Sequence, residues 1–230
     1  MSNNFELFGL SHLVILFAIP LIAVSLALLV RRRGNIVRPV CYILGTIIMV
    51  NELLWYVYRI YHGWVIFPEG LPLHLCDLTL WLTVFAAFTL KSWSYEPAYY
   101  FGIGGTTMAI LTPDLWVSFP SYPAIQFFLA HGMVVVTILT MTLGKIMKPR
   151  PRSVWRVMIL LNGYAILIGI FNLIFDTNYL YICQKPGSYS ILDYFGSWPL
   201  YIFVTEVFAV LLFIMLWLPF RKSYHDIKSA

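Results

Sequence analysis

The sequence predicts an all-α integral membrane protein: a seven-transmembrane helix bundle with the N-terminus outside and the C-terminus cytoplasmic. Three observations carry this. The chain is 60% hydrophobic and 11% charged, against roughly 25% charged residues in soluble domains, so a soluble fold would lack polar surface. Seven apolar stretches, near 10–30, 37–60, 72–90, 97–113, 122–144, 154–176 and 199–219, approach the roughly 20 residues a helix needs to cross the hydrocarbon. The 15 Lys and Arg residues alternate in side: all but Arg59 and Lys185 fall in the loops after spans one, three, five and seven. The positive-inside rule makes those loops cytoplasmic.

The first stretch follows Glu6 and is itself followed by Arg31, Arg32 and Arg33. A secretory signal has the reverse order, so the stretch reads as a retained helix. Arg33-Gly34-Asn35 turns the chain into span two. Glu69-Gly70-Leu71-Pro72 leads into span three, with Pro72 where a first helical turn tolerates it. Span four is short and built from small residues, Gly102, Gly104, Gly105, Thr106, Thr107 and Ala109. These suit close packing in a bundle interior, with a ligand-facing surface as the competing reading. It ends at Thr112-Pro113-Asp114. Gly132 in span five would allow close helix approach. Lys148-Pro149-Arg150-Pro151-Arg152 is a stiff basic connector to span six. The segment 177–198 is rich in aromatic residues, which predicts an ordered cap or a partly re-entrant piece. Trp64, Trp93, Tyr95, Tyr99, Trp116 and Tyr122 lie near span ends and read as an interfacial belt. The seven helices are expected to form one domain over residues 1–230, in the cell membrane.

Ionisable groups at membrane depth face the bundle interior or a cavity. Here they are Glu52, His74, Asp77, His131, Asp176 and Glu206. At about 1.5 Å per residue, Cys76 lies about 6 Å, Glu206 about 10 Å, Glu52 about 12 Å and His131 about 13 Å below the outer boundary. Asn172 and Asp176 end span six on the same side. The expected result is one polar cavity in the outer half. The competing reading is that these groups bond to one another between helices.

A thiolate attacks an ester carbonyl, and a neighbouring imidazole generates it. On a helical turn Cys76 points nearly opposite His74, at 3.6 residues per turn, so the base is expected from another helix. His131 is the candidate, with Asp77 or Glu206 orienting it. Thr79, Thr107, Gln126 or Asn172 would stabilise the oxyanion. A packing cysteine and a hydrogen-bonded interior histidine are the plainer alternative. Zinc on His74, Asp77, His131 and Glu206 is a minor reading, since no helical zinc signature is present, and no metal or cofactor is expected. A Cys76–Cys183 disulfide is chemically open near the outer face. Phosphate-cradling loops are absent, and nothing points to nucleic acid.

The run Leu71-Pro72-Leu73-His74-Leu75-Cys76-Asp77, with Thr112-Pro113-Asp114, Phe127-Phe128-Leu129-Ala130-His131-Gly132 and the stretch from Asp176, Asn178 and Tyr179 to Lys185-Pro186, resembles the bacterial YwaF-type integral membrane family. That family is similar to eukaryotic transmembrane acyltransferases that form polyunsaturated ether phospholipids. It is more distantly similar to Thr/His intramembrane hydrolases of fatty-acid esters of hydroxy fatty acids. The resemblance implies a nucleophile at Cys76 and a histidine base at His131. The expected function is an intramembrane acyltransferase or lipid-ester hydrolase whose partners are membrane lipids or an acyl-chain substrate. Residues expected to support it are His74, Asp77, Glu52, Gln126, Asn172, Asp176 and Glu206. The alternative is a seven-helix small-molecule sensor or a proton-coupled transporter.

Overall fold

The computed structural model describes residues 5–187 and 190–221; Lys222 and Lys228 of the cytoplasmic charge count lie outside the described residues. Among the described residues the fold is helical and contains no strand. The helices are α1 (Leu10–Arg32), α2 (Val37–Tyr61), α3 (Leu75–Thr89), α4 (Ser92–Phe101), α5 (Thr107–Leu111), α6 (Tyr122–Leu143), α7 (Ser153–Phe175) and α8 (Leu200–Trp217). A π-helical turn, Gly102–Thr106, joins α4 to α5 without a break. Among the described residues five helices are long and apolar enough to cross a membrane: α1, α2, α6, α7 and α8, with α2 and α8 each extended by a short 3₁₀ turn. α3 is a shorter apolar helix of 15 residues.

The chain divides into two compact units. The first takes in the chain up to Trp64 together with Cys76–Lys148; the second takes Val65–Leu75 and the chain from Pro149 onward. In the first unit α6 is the central element. Of its apolar stretch 67% is buried, against 17% for α1, because α1, α2, α4, the π turn and α5 all pack on it. α6 starts where Ser121 is extended and Pro123 enters the first turn, and stops at Gly144. Ile48, Leu80, Val84, Ala130 and Val134 form one buried cluster on it. Ala23, Leu44 and Val136 form a second, and Ile110, Phe128 and Val135 a third. In a membrane such contacts act through packing, since lipid tails are as apolar as the side chains. Gly132 sets the α1–α6 spacing: a Cβ there would sit 3.1 Å from Ile19, the close approach expected from the sequence.

Two expectations change. Span three starts at Leu75 rather than Pro72, because hydrogen bonds within the second unit hold the chain ahead of it. The Tyr179 hydroxyl accepts from the Leu71 amide (3.0 Å) and donates to the Pro68 carbonyl (2.8 Å), and the Tyr164 hydroxyl donates to the Leu73 carbonyl (2.9 Å). Span four starts earlier than expected, at Ser92, so Pro97 lies inside the helix. Tyr95 and Tyr99 are therefore core residues, 0% and 6% exposed, not part of an interfacial belt. The Tyr95 hydroxyl is 2.7 Å from that of Thr142 on α6.

In the second unit α7 packs on α8. α7 ends at Asp176, whose left-handed backbone (φ 53°) returns its N–H to the Asn172 carbonyl. Asn172 is 2% exposed and ties the following turn. Its amide donates to the Tyr179 carbonyl (2.9 Å), and its side-chain oxygen accepts from the Thr177 hydroxyl (2.8 Å) and the Tyr179 N–H (3.0 Å). The segment after α7 is ordered into two short 3₁₀ turns, Tyr179–Tyr181 and Ile191–Phe195.

Candidate functional site

The first unit contains a cavity of about 160 Å³ at the end where α2 finishes, α3 begins and the connection from α5 runs into α6. α2 lends Glu52 and Trp55, and the first turns of α3 lend Cys76, Asp77 and Leu80. The π turn lends Thr106. The α5–α6 connection lends Asp114, Leu115 and Trp116, and α6 lends Pro123, Gln126, Phe127, Ala130, His131 and Val134. Cys76 and His131, from two different helices, thus share one hollow. Both are half-buried, so each side chain is reachable from the cavity.

Helix geometry explains the grouping. On α6, Pro123, Gln126, Phe127, Ala130, His131 and Val134 recur at three- and four-residue intervals, which places them on one face. On α3, Cys76, Asp77 and Leu80 follow the same spacing. Leu80, Ala130 and Val134 on these faces also belong to the first apolar cluster, while Phe128, Val135 and Val136 of α6 enter the other two.

The imidazole of His131 is held by its own helix. Nδ1 lies 2.8 Å from the Phe127 carbonyl. A carbonyl can only accept, so Nδ1 carries the hydrogen and Nε2 is left as the acceptor nitrogen. The Phe127 ring stacks on the imidazole with centroids 4.1 Å apart. A backbone oxygen therefore supplies the orientation that the sequence assigned to a carboxylate.

The carboxylates Glu52, Asp77 and Asp114 line the same wall. Glu52 is 3% exposed and accepts from the Gln126 amide at 3.4 Å. Asn51, 8% exposed, donates to the Gln126 backbone carbonyl at 3.5 Å. Trp64 sits edge-on to both Trp55 and Trp116, with ring centroids 6.3 Å and 6.2 Å apart.

Of the residues named from the sequence, Cys76, His131, Glu52, Asp77 and Gln126 line this cavity. His74, Asn172, Asp176 and Glu206 belong to the second unit. There His74 packs against Tyr179 and Tyr181, with centroids 5.0 Å and 5.7 Å away. Glu206 accepts a hydrogen bond from Asn162 on α7 at 2.5 Å. Asn172 has its amide committed to the turn after α7. Among the described residues no three His, Cys, Asp or Glu side chains are grouped to hold a metal ion. Cys41, Cys76 and Cys183 are all free thiols.

Sequence reasoning left Thr106 between packing and a ligand-facing surface, and missed Asp114, Trp116 and His12. His12 is 0% exposed. Its Nδ1 accepts the Phe8 N–H (3.0 Å), so Nε2 donates to the Ile110 carbonyl (2.9 Å) at the end of α5. It thereby fixes the point from which the cavity-lining connection departs.

The profile of the TMEM164 family matches residues 7–217. The chain belongs to the TMEM164 family. Comparison with curated proteins and with solved structures found no match. Membership in the TMEM164 family, together with five helices able to cross a membrane, makes this a multi-pass membrane protein.

Proposed function

We propose that this TMEM164-family chain is an intramembrane lipid acyltransferase or lipid-ester hydrolase, working through a Cys76 nucleophile and a His131 base. The observation that carries the reading is the shared cavity: a thiol and an imidazole from separate helices line one hollow, with Nε2 left as the acceptor nitrogen. The resemblance of several separated motifs to the YwaF-type family, itself similar to transmembrane ether-phospholipid acyltransferases, implies the same two residues and supports it.

The chemistry follows from the parts. His131 Nε2 takes the thiol proton, and Sγ attacks the ester carbonyl carbon. Collapse of the tetrahedral intermediate breaks the C–O bond, and the departing alkoxide takes the proton from His131. A lysolipid hydroxyl or water then attacks the thioester with His131 again as base, and the thiol is restored. The cavity is close in size to a ~150 Å³ cavity that accepts benzene and smaller than the roughly 300 Å³ of drug-sized pockets. It suits the ester linkage and a few methylenes, with the rest of the acyl chain in lipid.

A seven-helix topology with the N-terminus outside and the C-terminus in the cytoplasm is part of this reading, with α3 and the continuous α4–α5 stretch supplying the two shorter crossings. The charge bias of the loops supports it; on this reading the cavity lies in the outer half of the cell membrane. The exposed thiol of Cys183 then faces outward. A membrane-impermeant maleimide is expected to label Cys183 on intact cells; labelling only after the membrane is opened would reverse the topology.

The purified chain in vesicles holding a phospholipid with an isotope-labelled acyl chain and a lysophospholipid acceptor tests the activity. The label is expected in new diacyl lipid or in free fatty acid. No movement of label, together with thermal stabilisation by an added ligand, would place the chain among binding proteins instead. The carboxylates Glu52, Asp77 and Asp114 beside His131 are the feature that a sensor or proton-coupled carrier would use.

A further inference from the structure

Between Phe101 and Thr107 the helix widens into the π turn Gly102–Thr106. The Thr107 N–H donates to the Gly102 carbonyl, an i→i+5 bond where an α-helix makes i→i+4. Such single widened turns concentrate at functional sites. The turn is pressed onto α6, since a Cβ on Gly102 would lie 3.2 Å from Val134 Cγ1. The extra residue shifts the register of everything after it by about 100°, and Thr106 comes to line the cavity.

Thr106 is 2% exposed. The Thr107 hydroxyl is spent on the Gly102 carbonyl at 3.3 Å, and the hydroxyls of Thr83 and Thr142 likewise donate to carbonyls one turn back. Among the described residues the Thr106 hydroxyl makes no such bond. A hydroxyl on the cavity wall that is not spent on a backbone carbonyl can donate to a polar group that enters the cavity. Gln126, another neutral donor among the lining residues, already gives its amide to Glu52.

Resting on the acyl-transfer reading above, we propose that Thr106 is a further catalytic residue: its hydroxyl donates to the ester carbonyl oxygen and stabilises the oxyanion. As Sγ of Cys76 bonds to the carbonyl carbon, the C=O π pair moves onto oxygen, and the Thr106 O–H points at that charge. The proton stays on Thr106, and the thiol proton goes to His131. When the intermediate collapses the pair returns to re-form C=O and the ester C–O bond breaks. The π turn is what sets the hydroxyl in place before substrate arrives, so little reorganisation is needed during the reaction.

The test compares two reactions of the same thiol in the full chain. Iodoacetamide alkylates Cys76 by displacement and needs no oxyanion donor. A short-chain activated ester acylates Cys76 and does. Thr106→Val keeps the shape and removes the hydroxyl. It is expected to slow acylation on the order of 10²-fold and to leave alkylation within about two-fold of the unmodified chain; Thr106→Ser restores most of the acylation rate. Thr106→Ala serves in its place if the valine variant does not fold. Acylation at the unmodified rate in Thr106→Val overturns the role, as does an equal fall in both reactions, which would mark a merely structural residue. If the unmodified chain is alkylated at Cys76 but never acylated, the acyl-transfer reading fails and takes the role of Thr106 with it. If Thr106→Val fails while the unmodified chain acylates normally and Thr106→Ser does not recover, only the oxyanion role is lost.

Discussion

Cys76→Ala is expected to abolish acyl transfer, by on the order of 10³-fold or more. Cys76 supplies the only sulfur among the side chains lining the cavity, and alanine leaves no atom there that can form the thioester. Neither Cys41, buried in α2, nor the exposed Cys183 is among the lining residues. Cys76→Ser keeps a hydroxyl at the same place. A hydroxyl is a weaker nucleophile at neutral pH, so the serine variant is expected to retain a small residual rate with unchanged folding. Lipid analysis of transferred label checks both variants. Full activity in Cys76→Ala would move the nucleophile elsewhere.

His131→Gln is expected to lower acylation of Cys76 by roughly 10²–10⁴-fold, the range for a positioned acid–base group. The imidazole lines the cavity from α6 with Nδ1 committed to Phe127, so Nε2 is the nitrogen left to accept the thiol proton. The signature differs from that of Thr106. Removing the base leaves the thiol protonated, so iodoacetamide alkylation and ester acylation fall together; removing Thr106 affects acylation alone. His131→Ala opens further space beside Phe127 in the cavity wall, and added imidazole is expected to restore part of both rates. An undiminished rate of alkylation in His131→Gln would remove the histidine from the role of base.

The elements of this arrangement differ in how far the sequence revealed them. Of the seven apolar spans expected from composition and length, five correspond to helices long and apolar enough to cross a membrane among the described residues. Counting residues from span ends grouped Glu52, Asp77, Cys76 and His131 by depth, and these do line one cavity. Depth along a helix says nothing about direction around it, however. Asn172, Asp176 and Glu206 share that depth, yet each serves the second unit: a turn, a helix end and a pair with Asn162. His74 was placed on a helix with Cys76, but the helix begins one residue after it. Asp114 and Trp116 sit on a connection, and no periodicity announces which way a connection folds. Thr106 was named only with the other small residues of span four, packed or ligand-facing, because the π turn that sets its direction leaves no mark in the pattern. His12 has its partner, the Ile110 carbonyl, 98 residues away, a separation that no local pattern bridges.

The most direct measurement mixes the purified chain with a phospholipid of known acyl composition, quenches with acid within the first turnovers, and weighs the Cys76 peptide. An acyl adduct on Cys76 that hydroxylamine releases, absent from Cys76→Ala and much reduced in His131→Gln, is the predicted result. Lipid turnover with no adduct at Cys76 and undiminished in Cys76→Ala would contradict the thiol–imidazole site, and no adduct with no turnover would contradict acyl chemistry in this cavity altogether.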